Sequence, residues 1–303
     1  MKNVPLVSVI IPTYKNSNTL IRAINSVISQ TYENWELIIV DDNDPFSPER
    51  RNTEKNVEQY FDYKNIIYIS HSSNLNASAA RNTGFKFAKG ELIAFLDDDD
   101  EFYPEKLEKQ VLALSELDLS WGGIYCNYEI ISPDKRKAYV NNHDENILEN
   151  LLLVKNSICG GSTLLVRRSV YEDLKGFDVE FNRHQDWEFL VRFLKQYKLA
   201  LVEDLLVNIY VTTKNPRLSK DSIESKEFFL SNFANEINSF GTRKQIYKRQ
   251  WYSISLSYLR SFQLKESIYC LHKSYKSDFL SLYELSVWFF SFLKALVLNM
   301  RNL

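Results

Sequence analysis

The chain has 303 residues, of which 45% are hydrophobic and 25% charged, a balance that excludes a disordered, collagen-like or rod-shaped coiled-coil protein. This length predicts one or two domains and allows a large core without disulfide bonds. The three cysteines, Cys126, Cys159 and Cys270, are widely spaced, so they predict no disulfide framework or zinc pair and favour a reducing compartment. The N-terminal apolar run ends at Pro12, which is too early for a secretory signal peptide.

The net charge of −2 hides an asymmetry along the chain. From Thr242 to Leu303 there are 10 Lys and Arg against 3 Asp and Glu, a charge of +7, whereas the preceding residues carry 27 against 36, a charge of −9. An acidic body joined to a basic, aromatic tail predicts separate roles for the two parts. Such a tail suits nucleic acid or an anionic membrane; we expect no nucleic-acid partner, because the acidic body would repel it.

The N-terminal part alternates between strand and helix patterns. Predicted strands are VSVII (7–11), ELIIV (36–40), IIYI (66–69) and ELIAFL (91–96), and predicted helices span 20–28, 77–88 and a segment beginning at Pro104. The middle of the chain adds a strand at 123–131 and helices around 147–154 and 186–196. From residue 221 onward the patterns are helical, with a helical hairpin between Tyr252 and Tyr275. The alternation predicts an α/β fold with a mostly parallel sheet, helices on both faces and a helical C-terminal tail.

Three of the predicted strands end in polar motifs: Pro12-Thr13-Tyr14, Asp41-Asp42-Asn43 and the run Asp97 to Asp100. Ligands of open α/β sheets bind outside the carboxyl ends of the strands, so these motifs predict one shared site. Four adjacent carboxylates repel one another, and a divalent cation such as Mg²⁺ or Mn²⁺ would compensate their charge. The alternative for this run is a solvated turn that caps the following helix.

Single residues of the site each have a structural alternative. Asp42 is either a turn residue or an acceptor for a nucleobase or ribose, and Tyr14 is either core packing or a stacking surface for a base. Arg81 is either a residue of a helix surface or faces a phosphate or a nucleobase. Asp186 is either a helix N-cap or a general base beside an acceptor hydroxyl. The Gly-rich motifs of dinucleotide dehydrogenases, P-loop NTPases and α/β-hydrolases are absent from the sequence.

Between Val7 and Ser219 the chain resembles the inverting GT-A glycosyltransferases of family 2. The resemblance is carried, in order, by VSVIIPTY, IIVDDND, ARNTGFKFAKGELIAFLDDDDEFYPEKL and GFDVEFNRHQDWEFLVRF. It implies a nucleotide-diphosphate-sugar donor and a divalent metal, Mn²⁺ or Mg²⁺. It assigns the nucleotide to Pro12, Thr13, Tyr14, Asp42, Arg81 and Asp98, the metal to Asp99 and Asp97, and the catalytic base to Asp186. Gln185 replaces the family's usual Glu before that base, and the stretch YVTTKNP (210–216) lacks the His that many members carry.

The resemblance thus implies a metal-dependent inverting hexosyl- or hexosaminyltransferase that uses a UDP-sugar. The acceptor would be a hydroxyl of a glycan or a lipid-linked molecule, in cell-surface polysaccharide synthesis. Residues 1–220 would form the GT-A domain, with a nucleotide-binding half (1–100) and an acceptor-binding half (101–220), followed by a helical extension (221–303). The alternatives are an inactive sugar- or lipid-binding scaffold and a sugar-nucleotidyltransferase, which is disfavoured because its Gly-rich N-terminal loop is missing.

The tail contains an apolar helix over 285–298 that Lys294 interrupts, too short for a transmembrane span. We interpret it as an interfacial helix on an anionic membrane; the alternative is a helix buried on the body or in a homo-oligomer. The expected location is therefore cytoplasmic, peripheral on the inner face of the cell membrane.

Overall fold

The computed structural model describes residues 4–156, 158, 161–211 and 221–300, with only the backbone described at 298–300. The strands are β1 (Val7–Thr13), β2 (Trp35–Asp41), β3 (Ile66–Ser70), β4 (Leu92–Phe95), β5 (Glu101–Phe102), β6 (Trp121–Ser132), β7 (Lys135–Tyr139), β8 (Leu165–Arg167) and β9 (Lys198–Tyr210). The helices are α1 (Ser17–Ile28), α2 (Pro48–Glu58), α3 (Ala77–Phe87), α4 (Lys106–Ser115), α5 (Ile147–Leu152), α6 (Arg168–Asp173), α7 (Gln185–Leu194), α8 (Asp221–Asn232), α9 (Ala234–Ser239), α10 (Arg243–Arg260), α11 (Leu264–Ser277) and α12 (Leu282–Met300).

One sheet runs through the α/β part in the order β3-β2-β1-β4-β8-β6-β9-β5, with β7 paired to β6. The four strands β1 to β4 are parallel, as expected from the alternation of strands and helices. The second half is mixed, because β8 is antiparallel to both β4 and β6, while β6 and β9 are parallel. The predicted α/β fold with a helical C-terminal region is confirmed, and its mostly parallel character belongs to the first half of the sheet.

Strands β1 and β2 are buried at every position, which explains why their sequences are continuous apolar runs rather than alternating ones. Helix α1 covers them with Leu20, Ile24 and Val27, which recur at helical spacing and are completely buried. The polar motifs lie where these buried strands end.

The chain divides into two compact units: Met1–Glu145 with Ser157–Val211, and Asn146–Asn156 with Thr212–Leu303. The predicted domain 1–220 includes α5, whereas α5 lies in the second unit. There α10 donates hydrogen bonds to the carbonyl groups at the C-terminal end of α5. Gln250 Nε2 contacts the carbonyl oxygen of Leu152 at 2.7 Å, and Arg249 Nε contacts that of Leu153 at 2.5 Å. The predicted boundary after residue 220 stays a prediction, at the edge of the undescribed residues 212–220.

The helical hairpin predicted in the tail is formed by α10 and α11, and α12 packs along α10. Within the part of the chain that the structure describes, no helix combines the length and apolar character needed to cross a membrane.

Candidate functional site

The carboxyl ends of β1, β2 and β4 lie side by side at one edge of the sheet. Thr13 at the end of β1 is opposite Asp41 at the end of β2, and Ile10 of β1 is opposite Phe95, the last residue of β4. The segments that follow these three strands therefore emerge together, as the sequence motifs predicted.

These segments and α3 enclose a cavity of about 380 Å³. Its lining includes every residue predicted to bind nucleotide or metal: Pro12, Thr13, Tyr14, Asp42, Arg81, Asp97, Asp98 and Asp99. Gln185 at the start of α7 also lines it, next in sequence to Asp186. The structure thus brings the predicted residues into one place, while their roles remain predictions.

The four aspartates after β4 divide into two inward-facing and two accessible carboxylates. Asp98 and Asp100 are 6% and 3% exposed, whereas Asp97 and Asp99 are half-buried. Asp98 accepts hydrogen bonds from Asn16 Nδ2 at 2.9 Å and from the backbone amide of Tyr14 at 3.2 Å. Burial nevertheless raises the pKa of Asp98 to about 6.

Asp100 is held by Ser162, a residue that the sequence did not single out as functional. The Ser162 hydroxyl donates to Asp100 Oδ2 at 2.5 Å and accepts from the backbone amide of Asp97 at 3.1 Å. Burial, together with the neighbouring charge of Asp97, raises the pKa of Asp100 to about 8. The carboxylates of Asp98 and Asp100 are thus buried and hydrogen-bonded within the turn, whereas those of Asp97 and Asp99 are more accessible.

Arg81 on α3 joins two carboxylates that are distant in sequence. Its Nη2 lies 2.6 Å from Asp97 Oδ1, and its Nη1 lies 4.0 Å from Asp186 Oδ1. Burial of the guanidinium lowers the pKa of Arg81, but the two carboxylates outweigh that effect and the net shift is upward. A permanently charged guanidinium therefore lies between the predicted metal ligand and the predicted base.

Asp186 occupies the first turn of α7, where its charge is favourable to the helix dipole. Burial raises its pKa, Arg81 opposes that shift and Asp97 adds to it. Among the described residues, its buried Oδ1 atom has no hydrogen-bond partner, Arg81 being at ion-pair distance only. A carboxylate of raised pKa with an unsatisfied oxygen can accept a proton from a bound hydroxyl.

Asp42 is held rigidly by its surroundings. Its Oδ1 lies 2.7 Å from His71 Nδ1 and accepts from the backbone amide of Leu75 at 2.8 Å, and its Oδ2 accepts from Asn74 Nδ2 at 2.9 Å. His71 also contacts Thr83 Oγ1 at 2.9 Å, so it connects Asp42 to helix α3. Asn16, Asn74, Asn76 and Asn182 line the cavity but carried no distinctive sequence signal, because isolated asparagines are common in turns.

The donor set at the acidic turn fits a divalent cation that shares its coordination with phosphates. Among the described residues, no three His, Cys, Asp or Glu side chains cluster as a complete metal site. Mg²⁺ and Mn²⁺ sites in phosphate-binding proteins need only one or two carboxylates, and here Asp97 and Asp99 remain available. No side chain of the described residues hydrogen-bonds the Asp99 carboxylate. A Cβ at Gly161 would lie only 3.0 Å from Asp97 Oδ2, so the glycine leaves room beside that oxygen.

Arg22 on α1 anchors the backbone of the acidic turn. Its Nη2 donates to the carbonyl oxygen of Asp99, and its guanidinium stacks 3.6 Å from the ring centroid of Tyr210, at the end of β9. The sequence offered no signal for this contact, since Arg22 reads as an ordinary charged position in an amphipathic helix.

The sequence of the chain matches a known protein family. The family model described as "Glycosyl transferase family 2" matches residues 8–175. An uncharacterized glycosyltransferase of Rickettsia typhi is 30% identical over 77% of this chain and 73% of its own length. An Escherichia coli protein named UDP-Glc:alpha-D-GlcNAc-diphosphoundecaprenol beta-1,3-glucosyltransferase WfgD is 33% identical over 74% of this chain and 81% of its own length.

Solved structures share the fold at lower sequence identity. Staphylococcus aureus TarS, residues 1–349, matches 89% of this chain and 88% of its own with 17% identity and a TM-score of 0.58. The mannosyltransferase PcManGT of Pyrobaculum calidifontis, solved with GDP-Man and Mn²⁺, matches 96% of this chain and 81% of its own with the same identity and TM-score. At this identity the two structures support the fold alone.

Proposed function

Since the chain belongs to glycosyl transferase family 2, we propose that it transfers a hexose or hexosamine from a UDP-sugar to an acceptor hydroxyl, with inversion at the anomeric carbon. The observation that carries the proposal is the cavity at the carboxyl edge of the sheet. It combines the nucleotide and metal candidates with Arg81, which connects them to Asp186.

The choice of nucleotide and acceptor is supported by the Escherichia coli relative, whose name specifies UDP-glucose and a diphosphoundecaprenol-linked sugar. We therefore propose a glycan or lipid-linked acceptor in cell-surface polysaccharide synthesis. A lipid-linked acceptor would lie at the inner face of the cell membrane, and we propose that the enzyme works there as a peripheral protein.

In the proposed reaction, Pro12, Thr13 and Tyr14 hold the nucleoside. Asp42, which His71, Asn74 and Leu75 hold in place, accepts a hydrogen bond from the nucleoside. Mn²⁺ or Mg²⁺, held by Asp97 and Asp99, would act as a Lewis acid that offsets the charge of the departing diphosphate. Arg81 adds fixed positive charge beside the same phosphates.

Asp186 removes the proton of the acceptor hydroxyl while the hydroxyl oxygen attacks the anomeric carbon. One displacement breaks the bond to the diphosphate and inverts that carbon, so no second carboxylate nucleophile is required. Arg81, which pairs with Asp97 and lies 4.0 Å from Asp186, opposes the upward shift that burial and Asp97 impose on the pKa of the base.

The test is a panel of UDP-, GDP-, ADP- and dTDP-sugars, assayed with Mn²⁺ and with Mg²⁺ for release of free nucleotide. We expect slow donor hydrolysis with one UDP-sugar and faster release when a lipid-diphosphate sugar is added. Nucleotide binding without release from any donor would indicate the inactive scaffold. Formation of a nucleotide-sugar from a sugar 1-phosphate and a nucleoside triphosphate would indicate a nucleotidyltransferase.

A further inference from the structure

Helix α12 is held in place by polar contacts on one side. Trp288 Nε1 donates to Ser255 Oγ at 3.0 Å, and Lys248 Nζ lies 3.3 Å from Glu284 Oε2. Tyr252 adds a hydrogen bond from its hydroxyl to the carbonyl oxygen of Glu284 at 2.7 Å. These contacts with α10 fix the rotation of α12 about its own axis, so its opposite side has a defined composition.

The opposite side is apolar and exposed. Phe290 is 67% exposed and Leu282 86% exposed. At 100° per residue, the exposed apolar side chains fall in one continuous arc of the helix, which we call the outer face. The outer face consists of Leu282, Tyr283, Leu285, Phe289, Phe290, Leu293 and Val297.

The charge around the outer face is positive. Among the described side chains of α12, Lys294 is the only charged one that is exposed, and it lies at the edge of the arc. The acidic residue of this helix, Glu284, is on the inner side and is neutralised by Lys248. Exposed Lys265 and Lys276 lie on α11, which packs against α10 as α12 does, and the chain from Thr242 to Leu303 carries +7.

We propose that the outer face of α12 docks into the headgroup region of an anionic membrane, with the helix axis parallel to the surface. Apolar and aromatic side chains enter the interface, while Lys294 and the positive charge of the segment attract anionic lipid headgroups. From residue 282 to 297 the face is about 24 Å long at 1.5 Å per residue.

A second copy of the chain fits this surface less well. A symmetric contact through the outer face would bring two segments of charge +7 together, with no exposed acidic side chain of α12 to offset them. The membrane is also where the lipid-linked acceptor of the proposed function would lie, and to that extent the inference rests on that function.

The test is flotation of the full chain with vesicles of phosphatidylcholine alone or of equal parts phosphatidylcholine and phosphatidylglycerol. We expect binding to the anionic vesicles, weaker binding in high salt, and at least tenfold weaker binding of the variant Phe289→Ser/Phe290→Ser. Phe46→Ser is the matched control, because Phe46 is a 92% exposed phenylalanine of the first unit, and it should bind as the unaltered chain does.

Circular dichroism and donor hydrolysis without vesicles establish that the double variant is folded. Equal flotation of the double variant and the unaltered chain would overturn the proposal. The proposal would also be overturned if the unaltered chain failed to float and instead formed a dimer in sedimentation equilibrium that the double variant did not form. Vesicle binding without turnover of any nucleotide-sugar would leave docking intact and remove the proposed function, whereas turnover without vesicle binding would do the reverse.

Discussion

The acidic turn shows how one run of identical residues acquires different roles. Asp98 and Asp100 face inward, where Asn16 and Ser162 hydrogen-bond them and burial raises their pKa values. Their raised pKa values reduce the repulsion inside the turn, because the charged forms are less favoured. Asp97 and Asp99 keep accessible oxygens, which is why we assign the metal to them.

Replacement of Asp186 by Asn should abolish transfer and leave donor binding nearly unchanged. The amide has almost the same size but cannot take a proton from the acceptor, and Arg81 keeps its ion pair with Asp97. We expect kcat for transfer to fall at least 100-fold, with the dissociation constant for the UDP-sugar within threefold, measured by product assay and by calorimetry.

The matched control is Asp204→Asn, because Asp204 is a half-exposed carboxylate paired with Lys109 at 2.5 Å, away from the cavity. This variant should transfer at the normal rate. If Asp186→Asn retained transfer within a few-fold of normal, the assignment of the base would be wrong.

Lys106, at the start of α4, should make stability depend on pH. It is completely buried, its ammonium donates to Gln110 Oε1 at 2.7 Å, and burial lowers its pKa to about 8 although the nearby Cys126 opposes the shift. Between pH 8 and the unfolded-state pKa of 10.5, the unfolded chain binds a proton that the folded chain does not. Raising the pH through this range therefore favours the folded state.

The variant Lys106→Met removes this titration. We expect the free energy of unfolding of the unaltered chain to rise relative to that of the variant by about 1.4 kcal/mol per pH unit between pH 8 and 10. Urea unfolding at several pH values measures the difference, in which the titration of other groups cancels. A difference that does not change with pH would show that Lys106 is not buried as an uncharged amine.

Among the elements, α3 approaches the sheet unusually closely, and this position determines where Arg81 points. Gly84, on the same helix, faces β1 and β2, and a Cβ at this position would overlap Ile10 Cγ2 and lie 3.3 Å from Val40 Cγ2. Ile10 and Val40 are completely buried and β-branched, so neither can easily move away.

The variant Gly84→Ala should therefore destabilise the chain. Overpacking costs about 1–3 kcal/mol and the better helix propensity of Ala returns about 1 kcal/mol, so we expect a net loss of up to about 2 kcal/mol in urea unfolding. Gly241→Ala controls for the substitution itself, because nothing lies within 4 Å of a Cβ there, and its stability should be unchanged or slightly higher. Increased stability of Gly84→Ala would contradict the close packing.

Strand β9 is an element that the sequence pattern did not predict, although it has 13 residues and lies next to β6 in the sheet. Its apolar run is interrupted by Glu203 and Asp204. In the pairing with β6, Val202 is opposite Cys126 and Leu205 is opposite Asn127, so the two acidic residues bulge out of the ladder. A strand pattern with a two-residue insertion has no regular period, and only the pairing with β6 reveals it.

For the whole molecule, activity should depend on a divalent cation. Treatment with EDTA should abolish transfer, and added Mn²⁺ or Mg²⁺ should restore it. Without the cation, the carboxylates of Asp97 and Asp99 add to the negative charge of the diphosphate, and Arg81, which already pairs with Asp97, would have to offset that charge. The measurement is the rate of UDP release from the donor with acceptor present. EDTA saturated beforehand with Ca²⁺ controls for nonspecific effects, and full activity in free EDTA would contradict the metal assignment.

The sequence by itself determined the α/β class, the strand ends that carry the polar motifs, the family and the separation of an acidic body from a basic tail. Strand runs, turn residues and charge composition are local properties, so they can be read along the chain. The tertiary structure decided which carboxylates of the acidic turn stay accessible, and it brought Arg81 between Asp97 and Asp186. It also decided that α12 turns an apolar face outward. These features depend on strand order, pairing register and helix rotation, which bring residues far apart in the chain within a few ångströms of each other.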